Sequence, residues 1–321
     1  MSTPTELAGA VLAGDRRALA RAVTLVESTR DDDRSRAVEL LEAMHPSAGG
    51  ARRVGISGAP GVGKSIFIEA LGCRLVDDGL RVAVLAVDPS STRSGGSILG
   101  DKTRMSELAR RPEAFIRPSP SGGDLGGVAV RTGEALVLCE AAGYDVVLIE
   151  TVGVGQSEVA VADLVDTFVL LVSPGGGDEL QGVKRGIMEL ADLVVVTKAD
   201  GDLLPAANRA EADYRHAAHF LRRRFDGWEP RVLAVSALHG TGIDHVWSAV
   251  SEHRSALEAG GALDDLRAGQ AVAAFWRELE RGLLRQLRAQ RGGGDVIAEL
   301  EEAVAGGRAS PSVAAWRALN P

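Results

Sequence analysis

A glycine-rich segment in the first third of the chain has the residue types and spacing of a phosphate-binding loop. It follows an apolar run, opens a helical pattern, and matches G-x-x-x-x-G-K-[ST] at every fixed position. Glycines allow backbone N–H groups to surround phosphate oxygens, and a helix N-terminus adds positive potential. We expect Lys64 to reach the β- and γ-phosphates of a nucleotide and the Ser65 hydroxyl to bind Mg²⁺. The alternative is a glycine-rich turn without a ligand. The motif and the residue after it are Gly58, Ala59, Pro60, Gly61, Val62, Gly63, Lys64, Ser65 and Ile66.

Two later segments indicate which base the nucleotide carries. The first, Thr197-Lys198-Ala199-Asp200, ends an apolar run. The Asp200 carboxylate can accept both N1–H and N2–H₂ of guanine while the Lys198 stem lies along the ring. Alone, an Asp after a strand is more often a helix cap. In this order after a complete phosphate loop, the segments predict GTP and GDP as ligands. The second segment follows another apolar run and offers backbone contacts to guanine O6 through Ser236, Ala237 and Leu238.

Carboxylates at predicted strand ends are the candidates for the metal shell. Asp88 ends the second apolar run, Asp101 lies in the glycine-rich loop after it, and Glu150 ends the third run. Ligand groups collect at the strand ends of a parallel α/β sheet, so we expect these acids and Ser65 to hold Mg²⁺, with Glu150 acting through water. For each acid the alternative is a solvated loop carboxylate or a helix cap.

Hydrolysis of a bound nucleotide makes a further demand on these residues. Lys64 and the Mg²⁺ held through Glu150 would stabilise charge on the γ-phosphate while water attacks in line. No Gln directly follows Gly153, so Asp101 and Gln156 are the candidates for positioning that water. Slow intrinsic turnover is therefore expected.

Composition and charge narrow the classes of partner. The 321 residues carry a formal net charge of −8, which is not the positive field expected of a nucleic-acid binder. The most apolar stretch, Val159–Val172, contains two Asp residues and is too short for a membrane span. Met1–Asp15 lacks the pattern of a secretory signal, so the expected location is the cytoplasm. Cys73 and Cys139 have neither metal-ligand spacing nor a disulfide framework.

Short apolar runs alternate with helical patterns along the middle of the chain. Continuous apolar runs are typical of strands buried on both faces, and the alternation indicates βαβ units. We therefore predict an α/β fold with a mainly parallel P-loop sheet covered by helices on both faces. The six runs are Arg53–Ser57, Arg81–Val87, Asp145–Ile149, Thr167–Val172, Leu193–Val196 and Arg231–Val235.

Helical patterns dominate both ends of the chain. Thr5–Met44 predicts two or three short helices, with Asp15 and Asp31–Asp33 as candidate caps. The predicted domains are an N-terminal helical segment (1–50), a GTPase domain (51–258) and a C-terminal helical arm (259–321), which the family resemblance given below implies to be a dimerisation arm. In that arm, steps of three and four residues predict an apolar stripe on one helix face, formed by Val272, Phe275, Leu279, Leu283 and Leu287. The alternative is packing of the stripe on its own GTPase domain.

Four longer stretches give the sequence a specific resemblance. They are Val87–Ser91, Gly95–Met105, Glu150–Glu158 and Asp178–Glu189. In these stretches the chain resembles the methylmalonyl-CoA mutase-associated GTPases, and the resemblance covers about residues 5 to 290. It implies a homodimer that assists an adenosylcobalamin-dependent acyl-CoA mutase, with methylmalonyl-CoA mutase as the expected partner, by guarding cofactor loading and replacement of damaged cobalamin.

The resemblance also assigns switch segments. It implies that 88–101 form switch I, that 150–158 form switch II, and that Asp178, Gln181 and Lys184 belong to a further switch that senses the mutase. Two residues depart from the family pattern: Ile66 replaces a usual Thr, and Thr197 replaces a common Asn. These departures affect the contacts expected at the α-phosphate and the affinity expected for guanine.

Two other functions stay open at this point. A nickel-insertion GTPase would share the fold, but the six His residues are scattered rather than clustered. A nucleotide-binding scaffold without significant hydrolysis would carry the same motifs. A phosphate-release assay separates the scaffold from an enzyme.

Overall fold

Seven parallel strands form the sheet that carries the predicted loops. The spatial order is β3-β2-β4-β1-β5-β6-β7, and each neighbouring pair is parallel. All strands therefore end at one edge, here called the carboxyl edge, with β1 in the centre. The strands are β1 Arg52–Gly58, β2 Val82–Asp88, β3 Ala114–Pro120, β4 Val146–Glu150, β5 Thr167–Val172, β6 Leu193–Val196 and β7 Arg231–Ala234.

The structure, a computed structural model, describes residues 3–88, 105–120, 125–151, 157–175, 185–220, 223–289 and 293–320. In the described ranges the helices are α1 Pro4–Leu12, α2 Arg16–Glu27, α3 Asp31–Met44, α4 Lys64–Asp77, α5 Ser106–Arg110, α6 Leu125–Ala141, α7 Ser157–Ala162, α8 Arg185–Met188, α9 Leu204–Ala218, α10 Ile243–Ala259, α11 Ala262–Ala289, α12 Gly293–Ala305 and α13 Pro311–Leu319. No helix within these ranges is long and apolar enough to cross a membrane.

Both faces of the sheet are covered by helices, as predicted. Adjacent residues of β2 show the arrangement, because Val84 belongs to one apolar cluster and Leu85 to the other. Helices α4, α5 and α10 pack on the Val84 face, where Phe67 of α4 is fully buried. The N-terminal helices, α6 and α7 pack on the Leu85 face, where Leu136 of α6 is buried. The predicted α/β fold with a parallel sheet is confirmed.

Of the local features, one strand was missed by the sequence prediction, one predicted helix cap is confirmed and another is wrong. Strand β3 was not predicted, and it forms one edge of the sheet beside β2. Asp15 does cap α2, because its carboxylate accepts from the backbone N–H groups of Arg17 and Ala18. The cap predicted at Asp31–Asp33 is wrong: Arg30 occupies the N-cap position of α3 and makes no side-chain cap hydrogen bond.

A buried charge network secures the amino edge of the sheet, opposite the predicted loops. Asp166, which directly precedes β5, accepts from the backbone N–H of Arg53 at 3.0 Å. It also accepts from Arg254 Nη1 of α10 at 3.0 Å and from Arg267 Nη2 of α11 at 2.8 Å. Both arginines donate in addition to the carbonyl oxygen of Ala51. The network therefore fixes the end of α10 and the start of α11 on the sheet.

The chain divides into two compact units, 1–270 and 271–321. Within the second unit, α12 and α13 pack against each other, and the Ser310 hydroxyl accepts from the Val313 N–H at the start of α13. The stripe residues Val272, Phe275, Leu279 and Leu283 are all exposed. The predicted domain bounds of 1–50, 51–258 and 259–321 stay predictions.

Candidate functional site

The predicted phosphate loop joins the central strand β1 to helix α4. Gly58 ends β1 with φ of 154°, and a Cβ atom there would lie 2.5 Å from the carbonyl oxygen of Leu171 in β5. Only glycine fits this close approach. Gly63 precedes α4 with φ of 103°, a left-handed conformation that favours glycine. The loop thus turns sharply onto a helix N-terminus, the arrangement that binds phosphate in P-loops.

Lys64 lies at the centre of this loop and is largely buried. Its Nζ donates to the carbonyl oxygens of Gly58 at 2.7 Å and Ala59 at 3.1 Å. Burial lowers the pKa of Lys64, and the negative charges of Glu150 and Glu158 oppose that shift. The ammonium is therefore held over the loop, where phosphate oxygens offer acceptors of the same kind.

Two contacts join the start of α4 and the end of β1 to the end of β4. The Ser65 hydroxyl donates to Glu150 Oε1 at 3.1 Å, and the Thr151 hydroxyl donates to Ser57 Oγ at 2.9 Å. Ser65 and Glu150 present adjacent hard oxygen atoms, the ligand type that Mg²⁺ prefers, and Mg²⁺ usually takes few protein ligands besides phosphates and water. The residues therefore fit the metal. Within the described residues, no group of three or more His, Cys, Asp or Glu side chains could hold a metal on its own.

The predicted base segment is bonded directly to the phosphate loop. The Thr197 hydroxyl donates to the carbonyl oxygen of Val62 at 2.7 Å, and it also lies 3.2 Å from the carbonyl oxygen of Val172. Lys198 Nζ donates to the carbonyl oxygen of Gly61 at 2.8 Å. Lys198 has φ of 55°, an uncommon conformation for a residue other than glycine. Segments far apart in sequence thus form one continuous site.

The carboxylate of Asp200 is oriented by the second base segment. The Ser236 hydroxyl donates to Asp200 Oδ2 and accepts from the backbone N–H of His239 at 3.2 Å. The two segments are also joined by the Ala199 N–H, which donates to the carbonyl oxygen of Val235 at 2.9 Å. Leu238 lies exposed in the turn after Ser236. The arrangement can hold Asp200 in place for a base with two adjacent donors.

Several predicted residues cannot be placed. Asp101, Gln156, Asp178, Gln181 and Lys184 lie outside the described residues. The backbone of Asp88 ends β2, and its side chain is not described. Ile66 is exposed in the first turn of α4, where Thr was expected from the family pattern. The assignment of all predicted site residues stays a prediction.

Sequence reasoning missed two features of the site. It placed Glu158 only at the end of switch II, whereas Glu158 lies buried in α7 and interacts electrostatically with Lys64. It placed Thr197 in the guanine segment and noted its departure from Asn, but it did not predict that the Thr197 hydroxyl bonds to the phosphate loop. The Thr197 contact could have been proposed from the position of the residue directly after a strand, since such residues face the ligand edge of the sheet.

Comparisons with known proteins bear on the same residues. A family model described as "Methylmalonyl Co-A mutase-associated GTPase MeaB" matches residues 19–292. GTPase ArgK of Escherichia coli is 52% identical over 274 residues, 85% of this chain and 83% of ArgK. The mouse protein "Methylmalonic aciduria type A homolog, mitochondrial" is 50% identical over 312 residues, 94% of this chain and 75% of its own. A crystal structure of a "LAO/AO transport system kinase" has 40% identity and a TM-score of 0.76, covering 99% of this chain and 97% of that one.

Proposed function

This chain is a P-loop GTPase that belongs to the methylmalonyl-CoA mutase-associated GTPase family, and we propose that it is a GTP-dependent chaperone of an adenosylcobalamin-dependent acyl-CoA mutase. The observation that carries the proposal is the family match over residues 19–292, whose description names association with methylmalonyl-CoA mutase. The match favours this function over the nickel-insertion alternative. In the proposed role the chain gates cobalamin loading and protects or reactivates the mutase, with methylmalonyl-CoA mutase as the proposed partner, in the cytoplasm.

The proposed hydrolysis uses the groups around the phosphate loop. Lys64 and the loop N–H groups stabilise charge on the β- and γ-phosphates while water attacks the γ-phosphorus and GDP leaves. Ser65 and Glu150 would hold Mg²⁺, with Asp88 and Asp101 as further candidates, and the ion would neutralise phosphate charge when bound. Asp101 or Gln156 would position the water. The Ser65 to Glu150 hydrogen bond supports the placement of these two ligands.

The base site supports selection of guanine by the same chain. Asp200 would accept from guanine N1–H and N2–H₂, and Lys198 would lie along the ring. The hydrogen bond from Ser236 to Asp200 orients the carboxylate, which lowers the conformational cost of binding. The contacts of Thr197 and Lys198 with the phosphate loop support a single site for base and phosphates.

The presence of the γ-phosphate would determine how the chain acts on the mutase. A triphosphate can order switch loops that relax when the phosphate leaves, so hydrolysis ends a signal that binding starts. Asp178, Gln181 and Lys184 are the proposed residues that transmit this signal to the mutase. The exposed stripe of α11 is proposed to form the contact of a homodimer, because an apolar face of this kind is costly to leave in water.

A turnover assay with the partner tests the proposal. GTP hydrolysis by the purified chain is measured with and without an adenosylcobalamin-dependent acyl-CoA mutase from the same organism. We expect a several-fold increase in turnover and a complex in gel filtration. The Lys64→Ala variant of the chain controls for any GTPase contamination of the mutase. Unchanged turnover and no complex with GTP, GDP or a non-hydrolysable analogue at excess mutase would contradict the proposed chaperone role.

A further inference from the structure

Glu158 carries a buried carboxylate beside the phosphate loop. It lies in the first turn of α7 and is 3% exposed. Its Oε2 atom is buried and has no hydrogen-bond partner among the residues that the structure describes. Burial of a carboxylate oxygen without a hydrogen bond costs folding free energy unless a nearby charge compensates it. The surroundings of Glu158 should therefore contain that charge.

The packing of α7 on β1 places the first turn of α7, with Glu158, near the phosphate loop. A Cβ atom on Gly55 of β1 would lie 3.0 Å from Val161 Cγ1 of α7, so the missing side chain lets this helix approach the strand closely. Glu158 lies three residues before Val161 and hence on the same helix face. Because α7 follows β4 and leads back to β5, its first turn is nearer the carboxyl edge. Glu158 therefore lies near the edge that carries the phosphate loop, where its charge acts on Lys64.

Lys64 supplies the compensating charge. An ammonium has three N–H donors, and two of those of Lys64 bond to the carbonyl oxygens of Gly58 and Ala59. Glu150 and Glu158 are the two carboxylates whose charges act on Lys64 in the described part of the chain. Glu150 accepts a hydrogen bond from Ser65. The buried Oε2 of Glu158 has no such bond among the described residues, so its charge acts on the phosphate site through space.

We propose that Glu158 is a specificity-determining residue whose fixed negative charge disfavours GTP relative to GDP at the phosphate loop. A γ-phosphate brings additional negative charge toward Lys64, and a buried carboxylate repels that charge with little screening by solvent. The repulsion falls when the γ-phosphate leaves. Glu158 thus lowers retention of the triphosphate and favours the diphosphate state. This inference rests on the proposed phosphate site.

Nucleotide affinities of charge variants test the role of Glu158. The dissociation constants of GDP and a non-hydrolysable GTP analogue are measured by calorimetry at fixed Mg²⁺ for wild type and Glu158→Gln. We expect the affinity for the GTP analogue relative to that for GDP to be about fivefold or more higher in Glu158→Gln than in wild type. The shift should persist at high salt, because salt screens buried charges weakly. Glu158→Leu is a second variant that removes the charge, and thermal unfolding verifies that each variant is folded.

Two further variants separate electrostatics from packing. Glu158→Asp keeps the charge and should keep the wild-type ratio. Asp163→Asn makes the same charge change at an exposed position just after α7 and should also keep it. The proposal would be overturned if Glu158→Gln and Glu158→Leu both keep the wild-type ratio. It would also be overturned if these variants bind GDP and the GTP analogue more weakly by the same factor and Glu158→Asp does not restore the wild-type affinities. Failure of the wild type to bind either nucleotide would instead refute the phosphate site itself.

Discussion

The hydroxyl of Thr197 donates to the carbonyl oxygen of Val62 at 2.7 Å, across a separation of 135 residues in sequence. Val62 lies in the phosphate loop, and Thr197 begins the segment proposed to read guanine. Both groups are buried, so the bond lies in a region of low dielectric and little competition from water. Movement of one segment therefore changes the position of the other, and we expect this bond to couple the proposed recognition of the base to binding of the phosphates.

Replacement of Thr197 by Val tests this coupling. Val keeps the shape of Thr and removes the donor, leaving the Val62 carbonyl without this partner. We expect a loss of about 1 to 2 kcal/mol in the free energy of unfolding. Affinity should fall by about tenfold for both GDP and GTP, with no change in base preference. Thr167→Val is the matched control, since it removes a buried bond to His253 at the opposite edge of the sheet. If Thr197→Val and Thr167→Val bind nucleotide equally well, the hydrogen bond from Thr197 to Val62 does not support the site.

Lys64→Ala should abolish tight binding of GTP. The variant removes the cation of the phosphate loop and its charge-assisted hydrogen bonds, which predicts about a hundredfold weaker binding or more by calorimetry. Arg74→Ala removes a positive charge from the exposed end of the same helix and serves as the control. Affinity of Lys64→Ala near that of wild type would refute the assignment of the loop.

Asp200→Asn should move base preference from guanine to xanthine. The amide can donate to the 2-oxo group of xanthine, whereas the carboxylate accepts from the two donors of guanine. We expect GTP affinity to fall by about a hundredfold and XTP affinity to rise above it. Asp202→Asn is the matched control because Asp202 is exposed two residues away. Equal GTP and XTP affinities in Asp200→Asn and wild type would mean that Asp200 does not contact the base.

The sequence predicted six of the seven strands because their apolar runs are continuous. Strand β3 was not predicted because it contains Pro118 and Pro120 and the charged Arg117. Its place at the edge of the sheet explains why it tolerates these residues, since an edge strand leaves one row of N–H groups unpaired. Arg117 is accommodated by an ion pair with Glu27 of α2, a contact between distant segments that no local pattern reveals.

The phosphate loop and the proposed guanine segments could be predicted from sequence because the chemistry expected of them depends on fixed local spacing. The bonds that join them could not be predicted in the same way. Thr197 meets Val62 only because β6 and β1 end at the same edge of the sheet. The charge of Glu158 acts on Lys64 from helix α7, which packs closely on Gly55 of β1. These relationships depend on tertiary packing rather than on motifs.

A charge introduced into the α11 stripe tests the proposed dimer. Leu279→Glu and Leu283→Glu place carboxylates on an exposed apolar face, so folding should be unaffected while association is lost. We expect light scattering to report a dimer for wild type and a monomer for the double variant. Arg285→Glu changes a residue of the opposite helix face and should leave the dimer intact. A dimer that survives in the double variant would place the interface elsewhere.

His253 offers a test of stability against pH at the amino edge of the sheet. Its ring is fully buried against Trp228, and its Nδ1 atom lies 2.8 Å from the Thr167 hydroxyl oxygen. Its Nε2 atom lies 3.6 Å from Asp192 Oδ1, and Asp192 also accepts from Arg224 Nη1 at 3.0 Å. Burial lowers the pKa of His253 from 6.5 to about 4, with the charge of Arg224 acting in the same direction. Burial raises the pKa of Asp192 from 3.8 to about 6, against the effect of Arg224.

As the pH falls, the pKa shifts of His253 and Asp192 change the stability of the fold in opposite directions. As pH falls from 6.5 toward 4, the unfolded chain protonates His253 and the folded chain does not, so the His253 contribution to stability is lost. As pH falls from 6 toward 3.8, the folded chain protonates Asp192 first, so that contribution is gained. The wild type alone would show little of either effect. A comparison with a variant that lacks the imidazole isolates the first.

His253→Gln keeps a polar group near Thr167 and removes the titration. The variant should be less stable than wild type near neutral pH, because the packing of the ring on Trp228 is lost. Its deficit in the free energy of unfolding should shrink by about 1 kcal/mol between pH of about 7.5 and about 5.5, since only the wild type loses the His253 contribution. Urea unfolding at the two pH values measures the deficit. His245→Gln removes an imidazole from an exposed position of the same helix and is the matched control. A deficit for His253→Gln that is constant with pH would show that burial does not hold the imidazole neutral.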